Sequence, residues 1–242
     1  MIAAGAGGAG PGGSAAPERA RWGGVGGLQT FDLNGNLTSD GTTTYTWDAR
    51  NRLVSLSGPD LAASFQYDPL GRRTQKTING TATGSHYDGL NPVQELNGAA
   101  VVANLLTGLG IDAYFTRTDT AGTHALLTDA LGSTITELDA TVTVQAEHTY
   151  QPFGATTSMG ATGNAFLYTG WENDLTGLYY YRARYYHPTL QRFISEDPIE
   201  FAGGDVSLYG YVATTLSGTS ILWGLSGRPL SASAGLSEGA RF

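Results

Sequence analysis

The chain has 242 residues, of which 35 are glycine and 13 are tyrosine, and only 14% carry a charge. It contains no cysteine, which excludes a disulfide framework and a thiolate metal site. The net charge is −8 without a cluster of Lys or Arg, and no apolar run approaches the roughly 20 residues of a membrane-spanning helix. The composition argues against nucleic-acid binding through phosphate neutralisation. It favours strands joined by tight turns.

The first 27 residues are dominated by glycine and alanine. No apolar segment follows a basic start there, so the sequence predicts no secretory signal peptide. We interpret residues 1–27 as a flexible leader that cannot bury a core. From residue 28 onward the composition becomes that of a β protein.

A five-residue pattern then recurs: an aromatic residue, Asp, two variable residues, and Gly or Asn. Its full copies begin at positions 31, 47, 67 and 87, so the steps are 16, 20 and 20 residues. Weaker copies begin at Thr128, without the aromatic residue, and at Tyr150, without the Asp. The repeat residues are Asp32, Gly35, Asp48, Tyr67, Asp68, Gly71, Tyr87 and Asp88.

The pattern has a local physical meaning. An Asp side chain can hydrogen-bond the backbone two residues further on, and Gly or Asn at the fifth place tolerates a positive φ. Between the motifs the sequence alternates with period two, as in residues 43–47 and 63–67, which predicts strands. Each motif therefore predicts a hairpin turn, and neighbouring hairpins must stack to bury their apolar faces. We interpret the repeat aspartates as structural rather than catalytic.

Residues 31–38 and 67–73 resemble YD repeats of the RHS family, which includes bacterial Rhs polymorphic toxins, C components of insecticidal toxin complexes and the teneurins. Residues 177–201, GLYYYRARYYHPTLQRFISEDPIEF, are similar to the RHS repeat-associated core. The chain departs from that core at His187 and Gln191, where the family has Asp and Gly. The matching core residues are Tyr181, Arg182, Arg184, Tyr185, Tyr186, Pro188, Phe193 and Pro198.

The resemblance implies an all-β fold of stacked antiparallel β-hairpins that form a spiral shell, with YD repeats at 28–125 and the core at 126–212. In the family the shell encloses a variable toxic domain that follows the core. The implied partners are this C-terminal toxin domain, which is missing from this chain, and a secretion machinery. The full-length family is secreted or lies at the cell surface, and the resemblance implies no cofactor.

The resemblance also implies an aspartyl autoproteolytic activity that cleaves after a D-P-x-G-L signature. We carry over Asp197 as the catalytic carboxylate and Arg192 as the residue that holds the segment beside it. Such chemistry needs two carboxylates, one to take and one to give a proton. Asp197 has no assigned partner, and the candidates considered are Glu200 and Asp205, which follow it in sequence. The alternative interpretation of Asp197 is a structural Asx-turn before Pro198.

The signature itself is missing. Residues 213–224 read ATTLSGTSILWG. A coding string for GNNPVGYIDPLG gives this sequence once a single G is deleted from its first codon. We hypothesise that residues from about 213 to 242 are read in a shifted frame, which predicts a disordered tail without the cleavage site. Whether the chain is an enzyme therefore remains open at the level of sequence.

We place the tyrosine-rich core block on a single strand. Alternation then puts Tyr179, Tyr181, Ala183 and Tyr185 on one face and Tyr180, Arg182, Arg184 and Tyr186 on the other. The arginines either stack between tyrosines or brace the shell through carboxylates and carbonyls.

Two other functions fit parts of the sequence. Tyrosine-rich hairpins suit stacking on sugar rings, so a carbohydrate-binding cell-surface module is the alternative function. Exposed tyrosines on a concave face would favour it, and buried tyrosines would count against it. A stand-alone aspartyl peptidase is the third hypothesis. The four histidines, His86, His124, His148 and His187, have no metal-ligand spacing, so no metal site is predicted.

Overall fold

The structure is a computed structural model that describes residues 28–203 and 207–211. The predicted leader at 1–27 and the predicted tail at 213–242 lie outside these residues. Within them, fourteen strands form one antiparallel sheet in which every strand pairs with its neighbours in sequence. The strands are β1 Thr30–Phe31, β2 Leu37–Ser39, β3 Thr44–Trp47, β4 Leu53–Gly58, β5 Leu61–Tyr67, β6 Arg73–Ile78, β7 Thr81–Asp88, β8 Asn91–Asn97, β9 Ala100–Thr107, β10 Tyr114–Asp119, β11 Gly122–Thr128, β12 Thr134–Leu138, β13 Val144–Tyr150 and β14 Thr156–Gly160.

A second, smaller sheet follows. Its strands are β15 Glu172–Asn173, β16 Tyr179–Tyr181, β17 Arg184–His187 and β18 Arg192–Phe193, again paired in sequence order. Short 3₁₀ turns lie at Tyr168–Gly170 and Glu200–Gly203. The prediction of an all-β fold built from consecutive antiparallel hairpins is confirmed. The described part of the chain forms no helix with the length and hydrophobicity that a membrane-spanning segment requires.

The repeat motifs build one type of turn. The backbone N–H of Asp68 donates to the Arg72 carbonyl, and the Gly71 N–H donates back to the Asp68 carbonyl. The Asp68 carboxylate accepts the N–H of Arg72 at 2.9 Å, and Gly71 adopts a φ of +87°. The turns at Asp32 and Asp48 have the same backbone bonds, and their carboxylates also accept the N–H two residues further on. The Asx-turns expected from the sequence are therefore present at these three positions.

The fourth full copy closes differently. Strand β7 continues through Asp88, which pairs directly with Asn91 of β8, and the chain reverses through Gly89 at a φ of +56°. Asp88 is exposed, and its carboxylate accepts no hydrogen bond from a described residue. The expectation of an Asx-turn at Asp88 is wrong because the glycine directly after it takes the positive φ two positions earlier than in the other copies.

One turn of the repeat type was missed by the pattern. The N–H of Asp139 donates to the Thr143 carbonyl, and the Asp139 carboxylate accepts the N–H groups of Thr141 and Thr143. Val142 occupies the fifth-place equivalent at a φ of +64°. A β-branched residue is rare in the left-handed region, so the sequence carried no signal for a turn there.

Side chains join consecutive hairpins. The hydroxyl of Tyr67 donates to the Leu53 carbonyl at 2.7 Å. The Arg52 guanidinium lies 4.9 Å above the centroid of the Tyr67 ring and donates to the Asp68 carbonyl at 3.3 Å. Arg72 occupies the corresponding place in the next repeat. The turns at Asp48 and Asp68 are therefore each tied to the next turn by one aromatic residue and one arginine.

The chain after β14 returns across one face of the large sheet. Leu37 of β2 donates its N–H to the Ile194 carbonyl at 2.8 Å, so the far end of the returning segment reaches the first repeats. The Gly35 carbonyl accepts the Tyr209 hydroxyl at 2.8 Å, and a Cβ on Gly35 would lie 2.3 Å from a carboxylate oxygen of Glu196. The resulting core contains Leu37, Tyr45, Leu53, Leu56, Ala63 and Phe65 from the large sheet, and Leu178, Tyr180, Tyr185 and Ile194 from the returning segment.

Replacing Asp68 with Ala should destabilise the protein, whereas replacing Asp88 with Ala should not. The Asp68→Ala change removes a charged acceptor of backbone and Arg72 hydrogen bonds, worth about 1.5–3 kcal/mol each at most and less in a partly solvated turn. Asp88→Ala is the matched control, with an expected change below about 0.5 kcal/mol. Denaturant unfolding of both variants measures the difference, and equal effects would contradict the structural role of the repeat aspartates.

The contribution of Asp68 should vanish in acid. Desolvation raises the pKa of Asp68, but hydrogen bonds from Arg72 and its positive charge outweigh this and hold the pKa below the ordinary value of 3.8. A carboxyl group with a lowered native pKa stabilises the fold above its ordinary pKa and loses that effect as the pH falls through the native one. The gap in unfolding free energy between the parent chain and Asp68→Asn should therefore shrink as the pH is lowered, and a constant gap would contradict this account.

Candidate functional site

The core motif forms a hairpin rather than one strand. Strands β16 and β17 pair antiparallel, with Tyr181 opposite Arg184. Between them Arg182 adopts a φ of +55°, and Ala183 is exposed at the bend. The expectation of a single alternating strand is wrong because the chain reverses at Arg182, so the alternation begins again on the other side of the turn.

This reversal changes which tyrosines share a face. Tyr180 lies opposite Tyr185, and both belong to the core that contacts the first repeats. Tyr179 lies opposite Tyr186 and, together with Tyr181, faces the other way. That second cluster consists of Leu167, Tyr168, Trp171, Tyr179, Tyr181, Tyr186, Phe193 and Tyr211. The small sheet is thus a layer with an aromatic core on each side.

Asp197, the proposed catalytic carboxylate, forms a buried ion pair. One of its carboxylate oxygens lies 3.1 Å from a guanidinium nitrogen of Arg184, and both side chains are inaccessible to solvent. The Arg184 guanidinium also lies 3.7 Å above the centroid of the Phe193 ring. Burial lowers the pKa of Arg184 to about 10, and the negative charge of Asp197 opposes this shift. Arg184 is therefore a direct ionic partner of Asp197.

The backbone around Asp197 forms the structural turn that was the alternative interpretation. The Asp197 carboxylate accepts the Ile199 N–H at 3.0 Å, as an Asx-turn requires. Its backbone N–H donates to the Leu208 carbonyl at 2.9 Å, and its carbonyl accepts the Glu200 N–H at 2.8 Å. Pro198 is exposed within this turn. Both the backbone N–H and the carbonyl of Asp197 are therefore hydrogen-bonded to neighbouring residues.

The other residues expected at this site are placed differently. Arg192 lies on β18, pairs with His187, and donates from Nε to the Leu190 carbonyl at 3.3 Å. Glu200 is exposed and is joined to Asp197 through its backbone N–H rather than its carboxylate. Asp205 lies outside the described residues. Pro188 lies in the turn between β17 and β18.

A buried charge cluster that the sequence did not indicate joins the two sheets. Arg73 of β6 is paired bidentately with Asp174 and lies 2.7 Å from Glu172. Lys76 lies 2.7 Å from Glu172 and 3.3 Å from Asp174, so two positive charges face two negative ones. The Arg73 guanidinium is also 4.1 Å from the centroid of the Tyr180 ring. Desolvation raises the pKa of Glu172, but Arg73 and Lys76 outweigh it and lower the pKa to about 2.

Arg182 makes a second connection between the sheets. Its guanidinium pairs with Asp112, at 2.9 Å in one of the two contacts, and lies 4.7 Å above the Trp171 ring. Arg182 and Arg184 therefore each pair with a carboxylate, as bracing requires, but the rings on which they stack are those of Trp171 and Phe193 rather than tyrosines. The sequence contained no sign of these carboxylate partners, since Asp112 is 70 residues away from Arg182 along the chain.

All 13 tyrosines belong to the described residues, and none is exposed. Tyr67, Tyr87, Tyr150 and Tyr209 are half-buried, and the other nine are buried. A sugar ring can stack only on an exposed aromatic face, so this burial counts against carbohydrate binding by the tyrosines.

The comparisons with known proteins agree with the fold. No protein-family model matches the chain. It is 36% identical over 186 residues to the tRNA3(Ser)-specific nuclease WapA of Bacillus spizizenii, a match that covers 73% of this chain and 8% of that protein. It is 28% identical over 240 residues to the double-stranded DNA deaminase toxin A of Burkholderia cenocepacia, covering 81% of this chain and 17% of that toxin.

A solved structure matches as well. The crystal structure of TcdB2-TccC3-Cdc42 resembles this fold with a TM-score of 0.60 at 23% identity, over 74% of this chain and 10% of that one. The hairpin repeats and the core motif, together with these relatives, identify the chain as an RHS/YD-repeat protein whose relatives are toxin proteins. The chain spans only 8% to 17% of the length of the two relatives described above.

Removing Arg184 should destabilise the protein strongly, and removing Asp197 as well should restore part of the loss. Arg184→Met leaves the Asp197 charge buried without this ionic partner, which costs about 3–5 kcal/mol. The double variant Arg184→Met/Asp197→Asn removes both charges and should be more stable than Arg184→Met alone. Unfolding free energies of the four proteins of this double-mutant cycle measure the coupling. Additive effects would contradict a direct ion pair.

Proposed function

We propose that the chain is part of an RHS toxin shell, and that the whole protein uses this shell to enclose and deliver a C-terminal toxic effector. The observation that carries the proposal is the returning segment, which covers one face of the hairpin sheet. Four of its contacts follow the strands in reverse order: Asn164 bonds Glu137 of β12, Phe166 stacks on Tyr114 of β10, Asp174 pairs with Arg73 of β6, and Ile194 bonds Leu37 of β2.

A wall of this construction suits containment. The hairpins extend the sheet strand by strand, so further repeats can be added at the β1 edge without disturbing the rest. The returning segment is attached through buried ion pairs and ring contacts rather than through an exposed loop. The effector itself we place outside this chain, because the two relatives named for acting on tRNA and on DNA extend far beyond the part that matches. We likewise propose that the whole protein is secreted or exposed at the cell surface.

For Asp197 we propose a positioning role in this chain. Its carboxylate accepts a hydrogen bond from the Asx-turn and pairs with Arg184, and Glu200, one of the two carboxylates considered as its catalytic partner, is exposed. The D-P-x-G-L signature that the family cleaves is replaced by the sequence of residues 213–224. In the whole protein, the same aspartate would act as the proteolytic carboxylate only if the neighbouring reading frame restores that signature.

The proposal is tested on the gene that encodes this chain. The DNA across codons 205–242 is sequenced, and the chain is expressed with its upstream repeats and with the downstream segment in whichever frame continues the reading. We expect the downstream segment to resist added protease while the shell is intact. Asp174→Asn, which leaves Arg73 and Lys76 in charge excess at the sheet interface, should expose the segment to cleavage.

Asp88→Ala serves as the control, because this exposed turn residue takes no part in the interface. Digestion of the downstream segment at the same rate in the parent, in Asp174→Asn and in the isolated segment would exclude enclosure by this wall. If no reading frame restores the D-P-x-G-L signature, the autoproteolytic part of the proposal falls and the shell part stands.

A further inference from the structure

Three polar side chains form a chain of hydrogen bonds where the large sheet ends. The hydroxyl oxygen of Ser158 on β14 lies 2.8 Å from Nδ1 of His148 on β13. Nε2 of the same ring lies 2.9 Å from a carboxylate oxygen of Glu137 on β12. Ser158 is exposed, His148 is 8% exposed, and Glu137 is fully buried.

The direction of these hydrogen bonds follows from the chemistry of Glu137. Desolvation raises the pKa of this carboxyl group, but hydrogen bonds from His148, Thr162 and Asn164 outweigh it and lower the pKa. An ionised carboxylate only accepts, so the proton of a neutral imidazole resides on Nε2. Nδ1 then carries the lone pair, and the Ser158 hydroxyl donates to it. A serine hydroxyl bonded to the basic nitrogen of an oriented imidazole is an activated nucleophile.

The sheet and the returning segment hold this arrangement in place. His148 and Ser158 are directly opposed in the β13–β14 register, and Glu137 lies on the next strand opposite Ala146. The Thr162 hydroxyl donates to one carboxylate oxygen of Glu137, and the Asn164 amide donates to the other at 3.1 Å. The nucleophile Ser158, the base His148 and the carboxylate of Glu137 therefore lie on three adjacent strands. Hydrogen bonds from the segment after β14 hold the carboxylate in place.

We propose that Ser158 is a reactive nucleophile toward carboxylic esters, with His148 as its general base and Glu137 as the positioning residue behind the base. The ring nitrogens serve in the opposite order from the familiar serine hydrolases, but each group keeps its role. Neither the class assignment nor the proposed shell function uses Ser158 or His148, and the shell proposal uses Glu137 only as an acceptor for Asn164. In the described residues no group of three or more His, Asp or Glu is placed to hold a metal ion.

The reaction is an acyl transfer to serine followed by hydrolysis. The Ser158 oxygen attacks the ester carbonyl carbon while its proton moves to Nδ1 of His148. The bond from the carbonyl carbon to the leaving oxygen then breaks, and the departing alcohol takes that proton. Water repeats the sequence on the acyl-serine, releasing the carboxylic acid and restoring the hydroxyl.

Access to the serine favours small esters. Strand β14 pairs only with β13 among the described strands, so its other edge is open. Ser158 is exposed on this strand, and an ester can approach it without displacing a packed side chain. An ester is the substrate class of choice because an alcohol leaves a tetrahedral intermediate more readily than an amine does.

The test uses the whole 242-residue chain and a fluorophosphonate probe, with labelling followed by intact mass and located by peptide mapping. We expect a single label on Ser158 that disappears in Ser158→Ala. His148→Gln, whose amide can still bridge both neighbours, should slow labelling about 100-fold or more. Glu137→Gln should slow labelling at least about tenfold. A purely structural role for Glu137 would leave the labelling rate of the folded protein unchanged. Turnover of 4-nitrophenyl acetate should fall in the same order.

Thr157→Ala is the matched control, because Thr157 is the exposed neighbour on the same strand but stands outside the hydrogen-bond chain. Its labelling rate should equal that of the parent. Melting temperatures establish that each variant is folded, and Ser158→Ala changes only an exposed hydroxyl. Absence of label on Ser158 at saturating probe, or an unchanged rate in folded His148→Gln, would overturn the proposal and leave a polar network that anchors the segment after β14.

Discussion

The Arg73 guanidinium sits between the two sheets, and the arrangement of both depends on its neutralisation. An unpaired buried cation costs several kcal/mol, so Arg73 is tolerated only where Asp174 and Glu172 face it. These carboxylates are buried as well and need Arg73 and Lys76 for the same reason. Neither the repeats nor the returning segment can satisfy these charges alone. Docking of the two layers is therefore a condition for the stability of each, rather than a later addition to a finished sheet.

The order of contacts explains why a repetitive sheet takes one arrangement. Hairpins of similar sequence offer several equivalent places for a covering layer, and apolar packing alone discriminates poorly among them. The returning segment makes a different polar or aromatic contact with several of the strands that it crosses, such as Asn164 with β12, Arg182 with the loop before β10 and Asp174 with β6. A shift by one repeat would leave several buried charges without partners at once. The charged contacts supply register, and the tyrosines and leucines supply most of the buried area.

The sequence predicted the parts of this fold that are local. The turns at Asp32, Asp48 and Asp68 follow from side chains that bond their own backbone, and the alternation between them follows from a two-sided sheet. Prediction failed where the positive φ fell on an unexpected residue, as at Val142 and Arg182. It also had no access to pairs such as Arg73 with Asp174, which are 101 residues apart. Composition reports that such charges exist, and only the packed layers determine which of them meet.

Access to solvent distinguishes the two candidate sites. Asp197 and Arg184 are both inaccessible, and the polar contacts of the Asp197 carboxylate hold a turn and an ion pair inside the core. Glu137 is equally buried, yet its network runs outward through His148 and ends at an exposed hydroxyl. Chemistry on an external molecule requires one atom of a site to reach solvent while its supporting groups stay dry, because water would weaken the electrostatic coupling between them. The buried aspartate that family resemblance indicated lacks that exit, whereas the serine at the end of the sheet has it.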